Sequence, residues 1–99
     1  MRYLFLLNPT AGKRDCTAEL APAIQAAAQR AGILPEKRKV VVTQYAGHAR
    51  ELAAEAAHTA QADGEPVRIW TAGGDGTFNE ALTGAQGCSL AAVGCLPFG

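Results

Sequence analysis

Val67-Arg68-Ile69-Trp70-Thr71-Ala72-Gly73-Gly74-Asp75-Gly76-Thr77-Phe78-Asn79-Glu80 is the stretch that decides the fold. Val67 to Ala72 is apolar enough and short enough to be a buried strand. Phe78-Asn79-Glu80-Ala81-Leu82 opens a helical pattern. Thr77-Phe78-Asn79-Glu80 has the spacing of a capping box, which predicts a helix opening at Thr77. Three glycines and an aspartate therefore join a strand directly to a helix. Glycine lets the main chain approach a ligand closely. Successive backbone N–H groups there can form a nest for an anion, and the positive end of the following helix adds to it. A phosphate chain fits best. Asp75 would repel phosphate unless it holds Mg²⁺ or accepts a hydroxyl proton, so Asp75 is a candidate for chemistry rather than a turn residue alone.

Outward from that unit, strands and helices alternate along the whole chain. Tyr3 to Leu7 reads as a first strand, and Asn8-Pro9 cuts its apolar run too short for a signal peptide. A helix follows from about Thr17 to Ala31, with Leu20, Ile24, Ala27, Ala28 and Ala31 at helical spacing. Pro22 is tolerated in a first turn, which would place the regular start nearer Leu20. Gly32 would close it in a left-handed cap. Lys39 to Thr43 is a valine-rich second strand. The second helix runs from Gly47 or His48 to Ala62, and Asp63-Gly64-Glu65-Pro66 stops it. Gly84 or Gly87 closes the third helix, and Leu90 to Leu96 is a fourth strand. Alternating βα units with continuous apolar strands imply an α/β fold with a parallel sheet covered by helices on both faces.

Ninety-nine residues make about one small domain with a modest core. Nine basic residues balance nine acidic ones, which argues against nonspecific nucleic-acid binding. No apolar run nears the ~18 residues of a membrane-spanning helix. Cys16, Cys88 and Cys95 are odd in number and form no Cys-x-x-Cys pair, so neither a disulfide framework nor a zinc site is expected. They read as small buried thiols in a reducing cytosol.

Parallel sheets bind ligands beyond the carboxyl ends of their strands. That rule gathers Asn8 to Lys13, Thr43 to His48, Gly73 to Glu80 and Pro97 to Gly99 on one edge. The first loop is not a Walker A loop, because Leu7 sits where its first glycine belongs and Arg14 where its Ser or Thr belongs. It still offers backbone donors, the Thr10 hydroxyl and two cations, Lys13 and Arg14; an ordinary Asn-Pro turn is the competing reading. In the second loop the Thr43 hydroxyl could reach a ribose or phosphate, or simply face water. The third loop is not the dinucleotide fingerprint, which requires a small residue where Asn79 stands. His48 and His58 have no companion that suggests catalysis.

Three elements together resemble the catalytic domain of the diacylglycerol kinase family, which includes the sphingosine kinases. They are Asn8-Pro9-Thr10-Ala11-Gly12-Lys13, Thr43 with Gly47-His48-Ala49, and Gly73-Gly74-Asp75-Gly76-Thr77 with Asn79-Glu80. Leu96-Pro97-Phe98-Gly99 resembles the start of the next family motif. The resemblance implies a three-layer α/β/α fold with a mostly parallel sheet, like those of NAD kinase and phosphofructokinase, cut after about the fourth strand. It implies that Asn8, Pro9, Thr10, Ala11, Gly12, Thr43, Gly74, Asp75, Gly76, Thr77, Phe78, Asn79 and Glu80 bind ATP, with Asp75 near Mg²⁺. The implied reaction is transfer of the γ-phosphoryl group of ATP to a lipid hydroxyl, in a cytoplasmic enzyme that touches the membrane peripherally.

Family members carry the lipid site, a general base and further metal ligands in a second, mostly β domain. The resemblance therefore makes residues 1–99 the nucleotide part of a longer kinase, inactive alone. NAD kinase is the rival enzyme, sharing the glycine-aspartate loop but not the Asn-Pro-x-x-Gly-Lys opening. A nucleotide-binding module without catalysis is the rival of another class. The lipid acceptor and the oligomeric state are not legible.

Overall fold

The computed structural model describes residues 1–9 and 17–96, with the side chains of residues 17–19 outside that description. The elements are β1 (Arg2–Leu7), α1 (Thr17–Arg30), a 3-10 turn (Pro35–Lys37), β2 (Arg38–Val42), α2 (His48–Asp63), β3 (Val67–Ala72), α3 (Asp75–Ala85) and β4 (Ala91–Cys95). All four strands run parallel in the order β2-β1-β3-β4. The α/β class and the parallel sheet are as expected.

Given that order, the handedness of βαβ crossovers, right-handed almost without exception, sets the face that each helix covers. The chain steps from β1 outward to β2, then back across β1 to β3, then on to β4. The reversal puts α1 on one face and both α2 and α3 on the other. Alternation within the strands matches this. Leu4, Leu6, Val67 and Ile69 pack with the alanines of α2 and α3, among them Ala53, Ala57 and Ala81. Phe5, Leu7 and Ala72 pack with Ile24 of α1. Leu6, Leu7 and Ile69 are wholly buried. Each such side chain contributes roughly 1.5–3 kcal/mol by leaving water.

Small residues let α2 and α3 lie close together. A Cβ on Gly84 would stand 2.2 Å from the Arg50 carbonyl oxygen, so only glycine fits that crossing. Gly84 is thus a packing glycine inside α3 rather than its terminator; the turn that follows is made at Gly87, with φ +86°.

Several boundaries differ from expectation for identifiable reasons. Helix α1 runs through Pro22 from Thr17 instead of starting near Leu20. Proline removes one helical hydrogen bond, and Leu20, Ala21 and Ile24 hold the turns around it on the sheet. Gly32 ends α1 with φ +81° as expected, and the Ile33 amide donates to the Ala28 carbonyl at 2.9 Å. The 3-10 turn at Pro35–Lys37 was not foreseen. Among the cysteines, Cys88 is half-buried but Cys95 is exposed, so the buried-thiol expectation fails for Cys95. Cys16 lies outside the described residues. Among the described residues no helix is long and apolar enough to cross a membrane.

Candidate functional site

The reversal of strand order falls between β1 and β3, and there the loops after those strands part to opposite faces. Such a switch point leaves a crevice beyond the carboxyl ends of the strands. A cleft of about 310 Å³ lies there, lined by Asn8 after β1, by Thr43, Gln44, Tyr45 and Ala46 after β2, by Ala49 of α2, and by Gly73, Gly76, Thr77 and Glu80 around the start of α3.

The backbone of this edge is fixed by continuations of the sheet ladder. The Asn8 amide donates to the Ala72 carbonyl at 2.9 Å, and the Thr43 amide to the Leu7 carbonyl at 2.8 Å. Across the switch point, Asn8 Nδ2 donates to Thr77 Oγ1 at 3.1 Å. Thr77 Oγ1 in turn donates to the Gly73 carbonyl at 3.4 Å. One buried hydroxyl thus ties the loop after β1 to the loop after β3.

That tie corrects the reading of Thr77 as a helix cap. Helix α3 opens two residues earlier, at Asp75, with Gly74 before it and no side-chain cap. Gly73 has φ +147° and Gly74 has φ +87°. With ψ at −174°, Gly74 occupies a region essentially closed to other residues. The two glycines turn the chain so abruptly that helical geometry begins at once, and the Thr77 hydroxyl is spent sideways on Asn8. The first helical hydrogen bond runs from the Phe78 amide to the Gly74 carbonyl at 3.2 Å. The amides of Asp75, Gly76 and Thr77 precede it and have no acceptor within the helix.

The remaining predicted residues are placed unevenly. Asp75, Gly74, Gly76 and Asn79 are exposed around the first turn of α3, Phe78 and Glu80 are half-buried, and Pro9 is half-buried after β1. Of these, Gly76 and Glu80 line the cleft. Thr10, Ala11, Gly12, Lys13, Arg14 and the Pro97 to Gly99 segment lie outside the described residues. Thr43 lines the cleft but is buried, and its hydroxyl lies 3.3 Å from the Leu7 carbonyl, to which it donates. Among the described residues no cluster of three or more His, Cys, Asp or Glu could hold a metal. A magnesium ion here would rest on one or two carboxylates and on the phosphates of a ligand, which is its common arrangement in phosphate sites.

Sequence reasoning missed the second loop's side chains. Gly47 does give α2 its tight entry, with φ +91°. His48, however, is fixed there by its neighbours. Its Nδ1 accepts the Gln44 amide at 3.0 Å. Its ring lies on the Tyr45 ring, with centroids 4.4 Å apart and planes 15° from parallel. The Tyr45 hydroxyl donates to Glu51 Oε2. That bond, and then burial, hold the phenol's pKa above its ordinary value. An aromatic residue between a strand end and a helix start was the signal available.

A family model described as the diacylglycerol kinase catalytic domain matches residues 2–99. No curated protein matches the chain.

Proposed function

The chain belongs to the diacylglycerol kinase catalytic domain family, and from that premise we propose that it forms the ATP-binding part of a lipid kinase. The reaction is transfer of the γ-phosphoryl group of Mg·ATP to the hydroxyl of a diacylglycerol-like lipid. The acceptor oxygen forms the new P–O bond, the bond between the γ-phosphorus and its bridging oxygen breaks, ADP leaves, and the hydroxyl proton passes to a base.

Gly76 carries the reading. It sits in the first turn of α3, facing the cleft, and apart from its chain neighbours and the backbone of its own helix no atom of the described residues lies within 4 Å of where its Cβ would be. Glycine in a helix costs up to ~1 kcal/mol relative to alanine. The fold gains nothing visible from that cost. A phosphate chain lying against the main chain supplies the missing reason. In this reading the amides of Asp75, Gly76 and Thr77 donate to phosphate oxygens at the positive end of α3.

Asp75 fits the role of the carboxylate that holds magnesium, directly or through water; bound magnesium neutralises charge on the phosphoryl oxygens. Asn8, tied to Thr77, keeps the loop after β1 in register with that after β3. Phosphoryl transfer draws mostly on such positioning and electrostatics, so a nucleotide domain of this kind prepares the donor. The lipid site and the general base would come from chain beyond residue 99, and residues 1–99 alone are expected to leave diacylglycerol unphosphorylated.

Calorimetric titration with Mg·ATP tests the reading. Wild type should bind. Asp75→Ala should bind roughly ten- to a hundredfold more weakly, the equivalent of one charge-assisted contact. Gly74→Val should lose binding, because its φ of +87° with ψ of −174° strains any other residue. Absence of binding by wild type, or an Asp75→Ala variant as tight as wild type, would overturn it.

A further inference from the structure

We infer that Tyr45, backed by His48, is the stacking platform for the nucleobase of the bound nucleotide. The inference rests on the nucleotide-binding reading of the cleft and adds the residue that recognises the base.

Tyr45 is the aromatic side chain among the cleft's described lining, which otherwise consists of alanine, glycine, threonine and amide or carboxylate residues. It is 56% exposed, one of the few large apolar side chains left in water among the described residues. Exposure of that kind usually goes with a mobile ring, but Tyr45 is held at both ends. Its face rests on His48, 4.4 Å between centroids, and its hydroxyl is bound to Glu51. His48 is itself held by the Gln44 amide, so the base of the platform does not turn freely. The stack has two rings, and a third flat ring would extend it.

A ring held in place before the ligand arrives loses little freedom on binding, which is the advantage of preorganisation. Stacking on an aromatic side chain suits any base, because every base presents a π face, and purines present the larger one. The polar groups of the cleft cannot do this work. Asn8 and the amides of Asp75, Gly76 and Thr77 match phosphate oxygens and hydroxyls. Tyr45 supplies the apolar surface that a triphosphate lacks and a nucleoside has. The cleft thus has a phosphate end at α3 and a base end at the start of α2.

The test compares Mg·ATP with magnesium tripolyphosphate, which has the phosphates without the nucleoside, by calorimetry on the full-length protein. Wild type should bind ATP more tightly than tripolyphosphate. Tyr45→Leu should weaken ATP by about five- to a hundredfold, the range of one base–aromatic stack, and leave tripolyphosphate as in wild type. Tyr45→Phe, which keeps the ring and loses the bond to Glu51, should retain most of the ATP affinity. In the wild-type complex the adenine protons should shift upfield under the ring current of the stack, a readout that survives if Tyr45→Leu fails to fold. Equal weakening of both ligands in Tyr45→Leu, or unshifted adenine protons, overturns the inference and leaves Tyr45 as a clasp on α2. Wild type binding tripolyphosphate as tightly as ATP overturns it while sparing the phosphate site. Wild type binding neither ligand overturns the nucleotide reading, and this inference with it.

Discussion

The sheet has a cleft at each edge, about 310 Å³ beyond the carboxyl ends of the strands and about 240 Å³ at their amino ends. The two differ in how their polar groups are used. At the amino edge, charges answer one another. Glu65 takes Lys37 at 2.9 Å, the terminal amine of Met1 at 3.2 Å and Arg2 Nε at 3.1 Å. Arg2 Nη2 takes Asp63 at 2.5 Å. Arg2 Nη1 is buried there without a hydrogen-bond partner among the described residues. At the carboxyl edge the conspicuous groups are instead backbone amides at a helix start, glycines in costly conformations, and an exposed aromatic ring. The lesson is that cavity size does not distinguish a site from a surface cleft. What distinguishes it is structure whose cost the fold does not recover for itself, together with the strand-order reversal that opens the crevice there. The amino edge is knit by ion pairs around Glu65 and Arg2; the carboxyl edge carries the groups that the proposed nucleotide site would use.

At the carboxyl edge the largest expected effect on stability comes from Thr77→Val. The substitution keeps the shape and removes the hydroxyl that joins Asn8 to the Gly73 carbonyl. Thr77 is buried, at 4% exposure, so its partners lose a contact that water cannot readily replace. A loss of about 1–3 kcal/mol is expected in chemical denaturation. The loops after β1 and β3 should also separate, so Mg·ATP affinity should fall alongside stability. A variant with wild-type stability and wild-type affinity would show that the tie across the switch point is decorative, and the edges would look more alike than they do here.

Gly76→Ala should have a smaller effect and one of opposite sign for fold and ligand. Among the described residues outside its own helix backbone and chain neighbours, the Cβ meets no atom within 4 Å, and the backbone there needs no positive φ. Alanine should therefore raise stability by up to ~1 kcal/mol. If a phosphate chain lies against this turn, the same methyl group should weaken Mg·ATP. Thermal unfolding and titration on one sample read both signs. A stabilised variant with undiminished affinity would move the phosphates away from Gly76 and remove the main support for the donor site.

These outcomes bear on how much the sequence could disclose. Strand β3 and the turn after it were legible, because Val67 to Ala72 is short and mostly apolar and the glycines follow without a gap. The alternation of strands and helices was legible for the same kind of reason, since each segment's period is local. The start of α3 was misplaced because Thr77 and Glu80 have the spacing of a capping box whatever their side chains actually do. Only the three-dimensional fold shows that Asn8, far away in sequence, claims the Thr77 hydroxyl. Gly84 is similar: it reads as a stop signal, and its function as a contact with the Arg50 carbonyl depends on how α2 and α3 cross. Tyr45 was passed over because a single tyrosine in a loop has no period. Its meaning comes from His48 three residues on and Glu51 six residues on, brought together by the entry into α2.

The smallest expected effect tests the amino edge. Hydrogen bonds from Lys37 and from the terminal amine bring the Glu65 carboxyl from its ordinary 4.5 down to about 2. The folded value lies below the unfolded one, so the stabilising contribution is complete above pH 4.5 and is lost as pH falls from there toward 2. Glu65→Gln keeps a carbonyl acceptor for Lys37 but has nothing to titrate. Acid unfolding of the variant should therefore lack the share that wild type shows in that window, and at neutral pH wild type should be slightly the more stable. Added salt should narrow the difference, because these ion pairs are partly exposed and screened. Mg·ATP affinity at neutral pH should not change, since the length of β3, about 20 Å, separates Glu65 from the Gly73 turn. A drop in affinity comparable to that of Asp75→Ala would mean that the strands transmit the state of one edge to the other. Those ion pairs would then be part of the site, and the contrast between the two edges would have to be redrawn as a coupling.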